Sequence, residues 1–315
     1  MYFPFLRGKQ FELIALRELV SLPLDSTKIS PIVEPLKKNL NTIATAAKAL
    51  KTLEVKVQLI VNPQYGDLKN KTEDLLNFIT SQKASFGTDN LIPTFLIENS
   101  ADFRLFYSFK TNPSYSGYPF SLIHQKQIPE VDQIVEYMTK GEVVANIIYV
   151  NQILALRRKF RGITSSLLAD PFNRQLRNSD YLDNEDEFFS NDYLYYSEEG
   201  YAGFSDYLTI GSDFVEGGRL PYAVAIHLTY LDSGSGDIRI HHFLSDTNHD
   251  DSDTAGKFYE ALIKLIKFID NHKTPETLAI AKFKEYYESQ AYPGLGVIKK
   301  LSIMHHIELM QSVMK

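Results

Sequence analysis

The chain has 315 residues, with 33 Lys and Arg against 39 Asp and Glu, and a formal net charge of −6. At 44% hydrophobic and 23% charged residues it has a globular composition, which excludes a disordered or collagen-like chain. The absence of cysteine removes disulfides, thiolate nucleophiles and Cys-bound zinc, and the acidity disfavours whole-surface attraction to nucleic acid or anionic membrane.

Met1-Tyr-Phe-Pro-Phe-Leu-Arg7 lacks the basic leader and long apolar run of a signal peptide. No apolar run approaches the roughly 20 residues of a membrane span, so a cytoplasmic protein is expected. From here the chain repeats one unit, a short apolar strand followed by an amphipathic helix. Tyr2 to Leu6 reads as a strand, followed by a helix from Phe11 to Val20 with its apolar residues on one face. Ile29 to Val33 is the second strand, with the Ala-rich helix Thr42 to Leu53. Val57 to Val61 is the third, followed by the helix Thr72 to Thr80 with acids in its first turn. Leu91 to Ile97, Tyr118 to Ile123, Val143 to Val150 and Gly162 to Ala169 continue the series. Helices start near Ser100, Glu130 and Gln152 between them.

The rhythm fails after Asp170. Asn178 to Gly203 is acidic and rich in tyrosine and reads as a solvated loop and helix. Tyr207 to Ile210 is expected as an eighth strand. Tyr222 to Leu231 and Ile238 to Leu244 flank Asp232-Ser-Gly-Ser-Gly-Asp237, a hairpin signal. From Thr254 the pattern is helical, in three segments. Eight strands alternating with helices predict an α/β fold, a (β/α)8 TIM-like barrel with a late antiparallel hairpin insertion and a helical C-terminal extension. The expected division is a barrel over 1–250, including the hairpin 222–244, and helices over 251–315. An open doubly wound sheet is the alternative; it is disfavoured because Leu6-Arg7-Gly8-Lys9 is not a dinucleotide-binding glycine loop.

The carboxyl ends of barrel strands share one face, so polar residues at these ends converge although scattered in sequence. These ends carry Arg7, Lys9 and Glu12, then Glu34, Asn62, Glu98, His124, Asn151 and Asp170. Such a set suits acid–base chemistry, a divalent cation or a phosphate. The same residue types also cap helices and anchor loops, as Asp, Asn and Ser commonly do. Elsewhere, His241 and His242 on one strand face opposite sides, and His305 and His306 diverge by about 100° on a helix, so neither pair readily chelates one metal. The run Asp246 to Asp253 lacks the glycine and closing glutamate of an EF-hand loop. Arg157 to Arg161 is a helix-end charge patch. No Walker A loop, G-x-S-x-G or H-E-x-x-H motif is present.

Tyr2-Phe-Pro-Phe-Leu-Arg-Gly-Lys9-Gln-Phe-Glu12-Leu-Ile-Ala15-Leu16, followed by Ile29-Ser-Pro31-Ile-Val-Glu34-Pro, resembles the phage-type beta protein family. In that family a short strand precedes Lys-x-x-Glu and Ala-Leu, then an apolar Pro-x-x-Glu strand. Gly203-Phe-Ser-Asp206-Tyr207 is similar to the family's Gly-Asp-Tyr-like segment, with Ser205 where glycine is expected. The resemblance spans Met1 to about Ser245 and matches Lys9, Glu12, Glu34 and Asp206 to motif positions. It implies a component of bacterial antiviral defence or phage conflict, acting beside a second protein that carries nuclease chemistry.

Two functional expectations follow. The first is a barrel enzyme, active or degenerate. Lys9, Glu12, Glu34, Glu98, His124 and Asp170 would be its acid–base groups, and Arg7, Asn62, Asn151 and Asp206 would be ligand contacts. Glu34, Glu98 and Asp170 would hold any divalent metal, and the substrate would be phosphorylated or nucleotide-like. The second is a non-catalytic protein that binds a protein partner or a second copy of itself, using the Tyr-rich segment, the hairpin and the C-terminal helices.

Overall fold

In a computed structural model, residues 1–314 are described except 23, 216, 218, 219 and 273. The chain forms two compact units. One comprises Met1–Leu13, Val20–Ala169 and Leu194–Asp206; the other comprises Ile14–Leu19, Asp170–Tyr193 and Tyr207–Lys315. The expected boundary at 250/251 falls inside the second unit.

The first unit is a closed parallel barrel. Its strands are β1 (Tyr2–Leu6), β2 (Ile32–Val33), β3 (Val57–Ile60), β4 (Leu91–Ile97), β5 (Phe120–His124), β6 (Val143–Tyr149), β7 (Ser166–Leu168) and β9 (Gly203–Asp206), in that order around the ring. The helices α1 (Gln10–Leu19), α2 (Asn41–Lys51), α3 (Thr72–Phe86), α4 (Ser100–Thr111) and α5 (Val131–Lys140) separate successive strands in sequence, the short α6 (Ile153–Leu156) lies between β6 and β7, and the four-residue α7 (Asp192–Tyr195) precedes β9. This is the (β/α)8 TIM-like architecture. Strand β4 is buried at all seven positions, as a parallel strand covered on both faces must be.

Alternation assigns the two faces of the barrel wall. Phe95 and Phe120 meet Phe106 of α4 at centroid distances of 5.5 and 5.2 Å, so these positions face the helices. Ser121, one residue on, faces the lumen and donates at 2.6 Å to Gln58 Oε1, while Gln58 Nε2 donates at 3.0 Å to Ser30. Gln58 is fully buried, and these bonds offset the cost of placing an amide inside the barrel.

The closing strand is not the expected Tyr207–Ile210. Residues Leu208–Ile210 form a 3₁₀ turn, and the ring is completed by β9, which pairs with β1 and β7. Gly203 makes this possible: a Cβ there would lie 2.1 Å from the Met1 carbonyl oxygen, so no other residue fits the seam unshifted.

The second unit contains a three-stranded antiparallel sheet, ordered β10 (Ala225–Leu231), β11 (Ile238–Leu244), β8 (Asp186–Ser190). The expected hairpin is its β10–β11 pair, with Leu231 opposite Ile238. Strand β8 lies in the acidic stretch expected to be a solvated loop; Phe189 within it is buried, as is Tyr181 just before it. The helices α8 (Thr254–His272), α9 (Leu278–Ser289) and α10 (Leu295–Val313) complete the unit. No described helix is long and apolar enough to cross a membrane.

Candidate functional site

The end of β1 and the end of β2 meet through one buried ion pair. Glu34 continues the β1–β2 ladder, its amide donating to Leu6 O at 2.9 Å. Its fully buried carboxylate pairs with the Arg7 guanidinium and also accepts from the Gln64 amide at 2.8 Å. Arg7 is held from two further directions. Its own amide donates at 2.6 Å to Glu12 Oε2, and its guanidinium lies 5.0 Å from the Tyr65 ring centroid and 5.7 Å from that of Phe5. Gly8 allows the turn: it sits at φ +62°, and a Cβ would lie 2.8 Å from Glu34 O. Three expected site residues, Arg7, Glu12 and Glu34, therefore form one network. Half-buried Lys9 follows in the same turn.

Asn62 and Glu98 belong to a neighbouring arrangement. Asn62 bridges to β4, donating to Leu96 O at 2.8 Å and accepting from Leu96 N at 2.9 Å. It also reaches Asp102 at 3.2 Å, and Asp102 Oδ2 accepts the amides of Glu98 and Asn99. Asn99 and Asp102 form a reciprocal capping box at the start of α4. Asn62 and Asp102 are thus helix and strand anchors here. The half-buried Glu98 carboxylate makes no hydrogen bond among the described residues.

Other expected residues lie elsewhere. His124 shares the outward parity of Phe120, is almost fully buried, and packs 4.6 Å from Phe160. Burial lowers its pKa to about 4, with an opposing contribution from Asn146, so it is a neutral imidazole behind the barrel wall at neutral pH. Asp206 accepts from the buried Tyr2 hydroxyl at 2.7 Å, with Tyr2 stacked 5.1 Å from Phe204. Burial and the Asp206 charge push the Tyr2 pKa well above 10. Asn151 is exposed in a 3₁₀ turn after β6. Asp170 belongs to the second unit; its Oδ2 accepts from Ser212 N at 2.9 Å, and its buried Oδ1 has no partner among the described residues. No group of three or more His, Asp or Glu among the described residues is placed to hold a metal ion, so the expected Glu34, Glu98 and Asp170 set is not formed. Glu34 is already committed to Arg7 and Gln64.

Sequence reasoning missed Gln64, Tyr65 and Asp102. The capping pattern Asn99-x-x-Asp102 was the available signal for Asp102; nothing local marks Tyr65 as the lid of Arg7. At the opposite end of the barrel, a cavity of about 830 Å³ opens among Phe3, Ser30, Gln58, Ala145 and Ser166 at the amino ends of the strands. The small side chains Ser30, Ala145 and Ser166 leave this space unfilled.

The fold and this arrangement define a (β/α)8 barrel protein with a buried Arg–Glu pair at the carboxyl ends of its first two strands. No protein family, curated protein or solved structure matches the chain.

Proposed function

We propose that the carboxyl end of the barrel binds, rather than hydrolyses, a small phosphorylated or nucleotide-like ligand. The observation that supports it is the buried Arg7–Glu34 pair beneath Tyr65, a ring that remains 37% exposed. A buried ion pair is a poor way to stabilise a fold, so its presence at strand ends suits recognition better than packing. Tyr65 offers a stacking face for a base, and Lys9 adds a second cation for phosphate. Glu34 is a weak candidate for a base because its carboxylate is shared between a guanidinium and an amide. The setting, bacterial conflict with phage, rests on the resemblance of the N-terminal segment to the phage-type beta protein family.

The test is calorimetric titration of the full chain with AMP, ADP and ATP, with and without Mg²⁺. Tyr65→Ala should weaken binding roughly tenfold, the lower range for loss of one base–aromatic stack, while leaving the thermal melt unchanged. Absence of binding by all three nucleotides removes the proposal. A second reading, a non-catalytic interaction protein, is favoured by Phe188, which is half exposed on the outer strand β8 of the three-stranded sheet. Light scattering that finds only a monomer at micromolar concentration removes its homo-oligomeric form.

A further inference from the structure

The lumen of a (β/α)8 barrel is ordinarily filled by layers of bulky branched side chains. At the amino ends of these strands the lumen instead carries Phe3, Ser30, Gln58, Ser121, Ala145 and Ser166. The strand registers put all of them on the inward face. The space they leave, about 830 Å³, falls in the range of roughly 300–1,000 Å³ that takes small molecules. Every residue lining it belongs to the barrel unit.

The floor of the cavity satisfies its own polar groups. Ser30 Oγ donates to Lys56 O at 2.9 Å and accepts from Gln58 Nε2 at 3.0 Å. Ser121 Oγ donates to Gln58 Oε1 at 2.6 Å and accepts from the Ala145 amide at 3.1 Å. Other hydroxyls on the wall are uncommitted. Those of Ser166, Ser26 and Thr164 make no hydrogen bond among the described residues. Ser166 is only 4% exposed, Ser26 is half-buried and Thr164 is exposed, so they run from the interior to the mouth. A nearly buried hydroxyl without a protein partner costs stability unless a guest molecule meets it.

We propose that this cavity binds an uncharged hexose, entered from the amino face of the barrel. A sugar hydroxyl both donates and accepts, as the wall hydroxyls do, so the two can pair in either sense. Met138, Val143 and Ile163 supply apolar wall for the C–H faces of the ring. A purely apolar guest would leave the Ser166 hydroxyl unpaired. A charged guest would lose its hydration without gaining a countercharge, because the buried part of the described wall carries no ionisable side chain. Lys56 and Glu54 are exposed at the rim, and with opposite signs two residues apart they favour neither an anion nor a cation. The one aromatic residue of the described wall, Phe3, is 5% exposed, so no open ring face is offered for a nucleobase to stack on. The proposal is independent of the carboxyl-end reading, since none of the Arg7, Glu12, Glu34 and Tyr65 network lines this cavity.

The experiment is calorimetric titration of the full chain with D-glucose, D-galactose, D-mannose and adenosine. At least one hexose should bind more tightly than about 1 mM. Its 6-amino-6-deoxy form, a cation at neutral pH, should bind at least roughly tenfold more weakly, because the added charge must be desolvated. Ser166→Ala should weaken hexose binding roughly two- to tenfold, the range for loss of one hydrogen bond. Ala145→Leu fills the cavity and should abolish binding while the protein still melts cooperatively. Tyr65→Ala, at the opposite end of the barrel, should leave hexose affinity unchanged. The proposal is overturned if no hexose binds at that level, if adenosine binds and the hexoses do not, or if the cationic sugar binds as tightly as the neutral one. Unchanged affinity in a folded Ala145→Leu chain overturns it as well. Should Ala145→Leu fail to fold, Ser166→Ala, which adds no volume, decides: unchanged affinity there removes the cavity as the site.

Discussion

Replacing Arg7 by Met isolates the Glu34 carboxylate from its countercharge while roughly preserving side-chain length. Glu34 is fully buried and the Arg7 side chain is 9% exposed, so water can do little to compensate. At an effective dielectric constant of about 20, two unit charges about 4 Å apart attract by roughly 4 kcal/mol. Removing one member of a buried pair costs about 3–5 kcal/mol, because the remaining charge must be held with fewer partners. Glu34 keeps the Gln64 amide, which offsets only part of that. The Arg7 amide bond to Glu12 is a backbone contact and survives the change. Urea unfolding followed by far-UV circular dichroism should show a loss of about 3–5 kcal/mol. The corresponding thermal midpoint should fall by roughly 6–20 °C for a unit of this size. Adding Glu34→Leu to the same chain should recover most of the loss, since an apolar pair of similar volume is often neutral or stabilising. The thermodynamic cycle should give a coupling of at least about 2 kcal/mol. A single-variant cost below about 1 kcal/mol, or additive effects, refutes the account of Glu34 as a buried charge dependent on Arg7.

Three other outcomes are expected. Above pH 6.5 neither the folded nor the unfolded state holds a proton on His124. Below it the unfolded state gains one and the folded state, with its pKa near 4, does not, so about 3 kcal/mol of stability is lost between pH 6.5 and pH 4. His124→Leu should flatten that part of the stability–pH curve, and parallel curves for the two proteins would contradict this. Lys9→Ala should abolish nucleotide binding, and any protection of cells in a plaque assay, while costing no more than roughly 1–2 kcal/mol in urea unfolding; retained binding removes Lys9 from the site. Gly203→Ala should destabilise the barrel by roughly 1–3 kcal/mol or more, because its methyl would overlap the Met1 carbonyl oxygen, and a variant as stable as wild type would show that the seam relaxes freely.

The barrel was legible because parallel strands buried on both faces leave continuous apolar runs, such as Leu91–Ile97, separated by amphipathic helices. The closing strand was not. Tyr207-Leu-Thr-Ile210 carries better strand residues than Gly203-Phe-Ser-Asp206, and what decides between them is the approach of Gly203 to Met1, some 200 residues away in sequence. Strand β8 was hidden in the same way, since Asp186 and Glu187 look solvated until paired with Arg239, His241 and His242. At the barrel end, Arg7, Glu12 and Glu34 could be proposed together from strand-end logic. His124 and Asp206 could not be separated from them, because whether a strand-end residue faces lumen or helices depends on registers that composition does not encode. The hydrogen-bonded series Glu187–His242–His227 across the three-stranded sheet had one readable clue. Counting outward from the Gly-rich turn places His227 opposite His242, and only the carboxylate that orders their protons comes from a distant strand.

The position of β9 in the ring has a consequence for synthesis on the ribosome. The chain makes β1 to β7 in order, departs to form β8 in another sheet, and only then supplies the strand that joins β7 to β1. At about 5–20 residues per second, roughly ten to forty seconds separate the emergence of β1 from that of β9. Throughout that interval β1 presents an open parallel edge to any neighbouring chain, and β7 presents a second one from its own emergence until β9 follows. Nascent chains halted just before Gly203 should therefore be the aggregation-prone and chaperone-bound population, and the last four residues of the ring should convert them abruptly to a protease-resistant form.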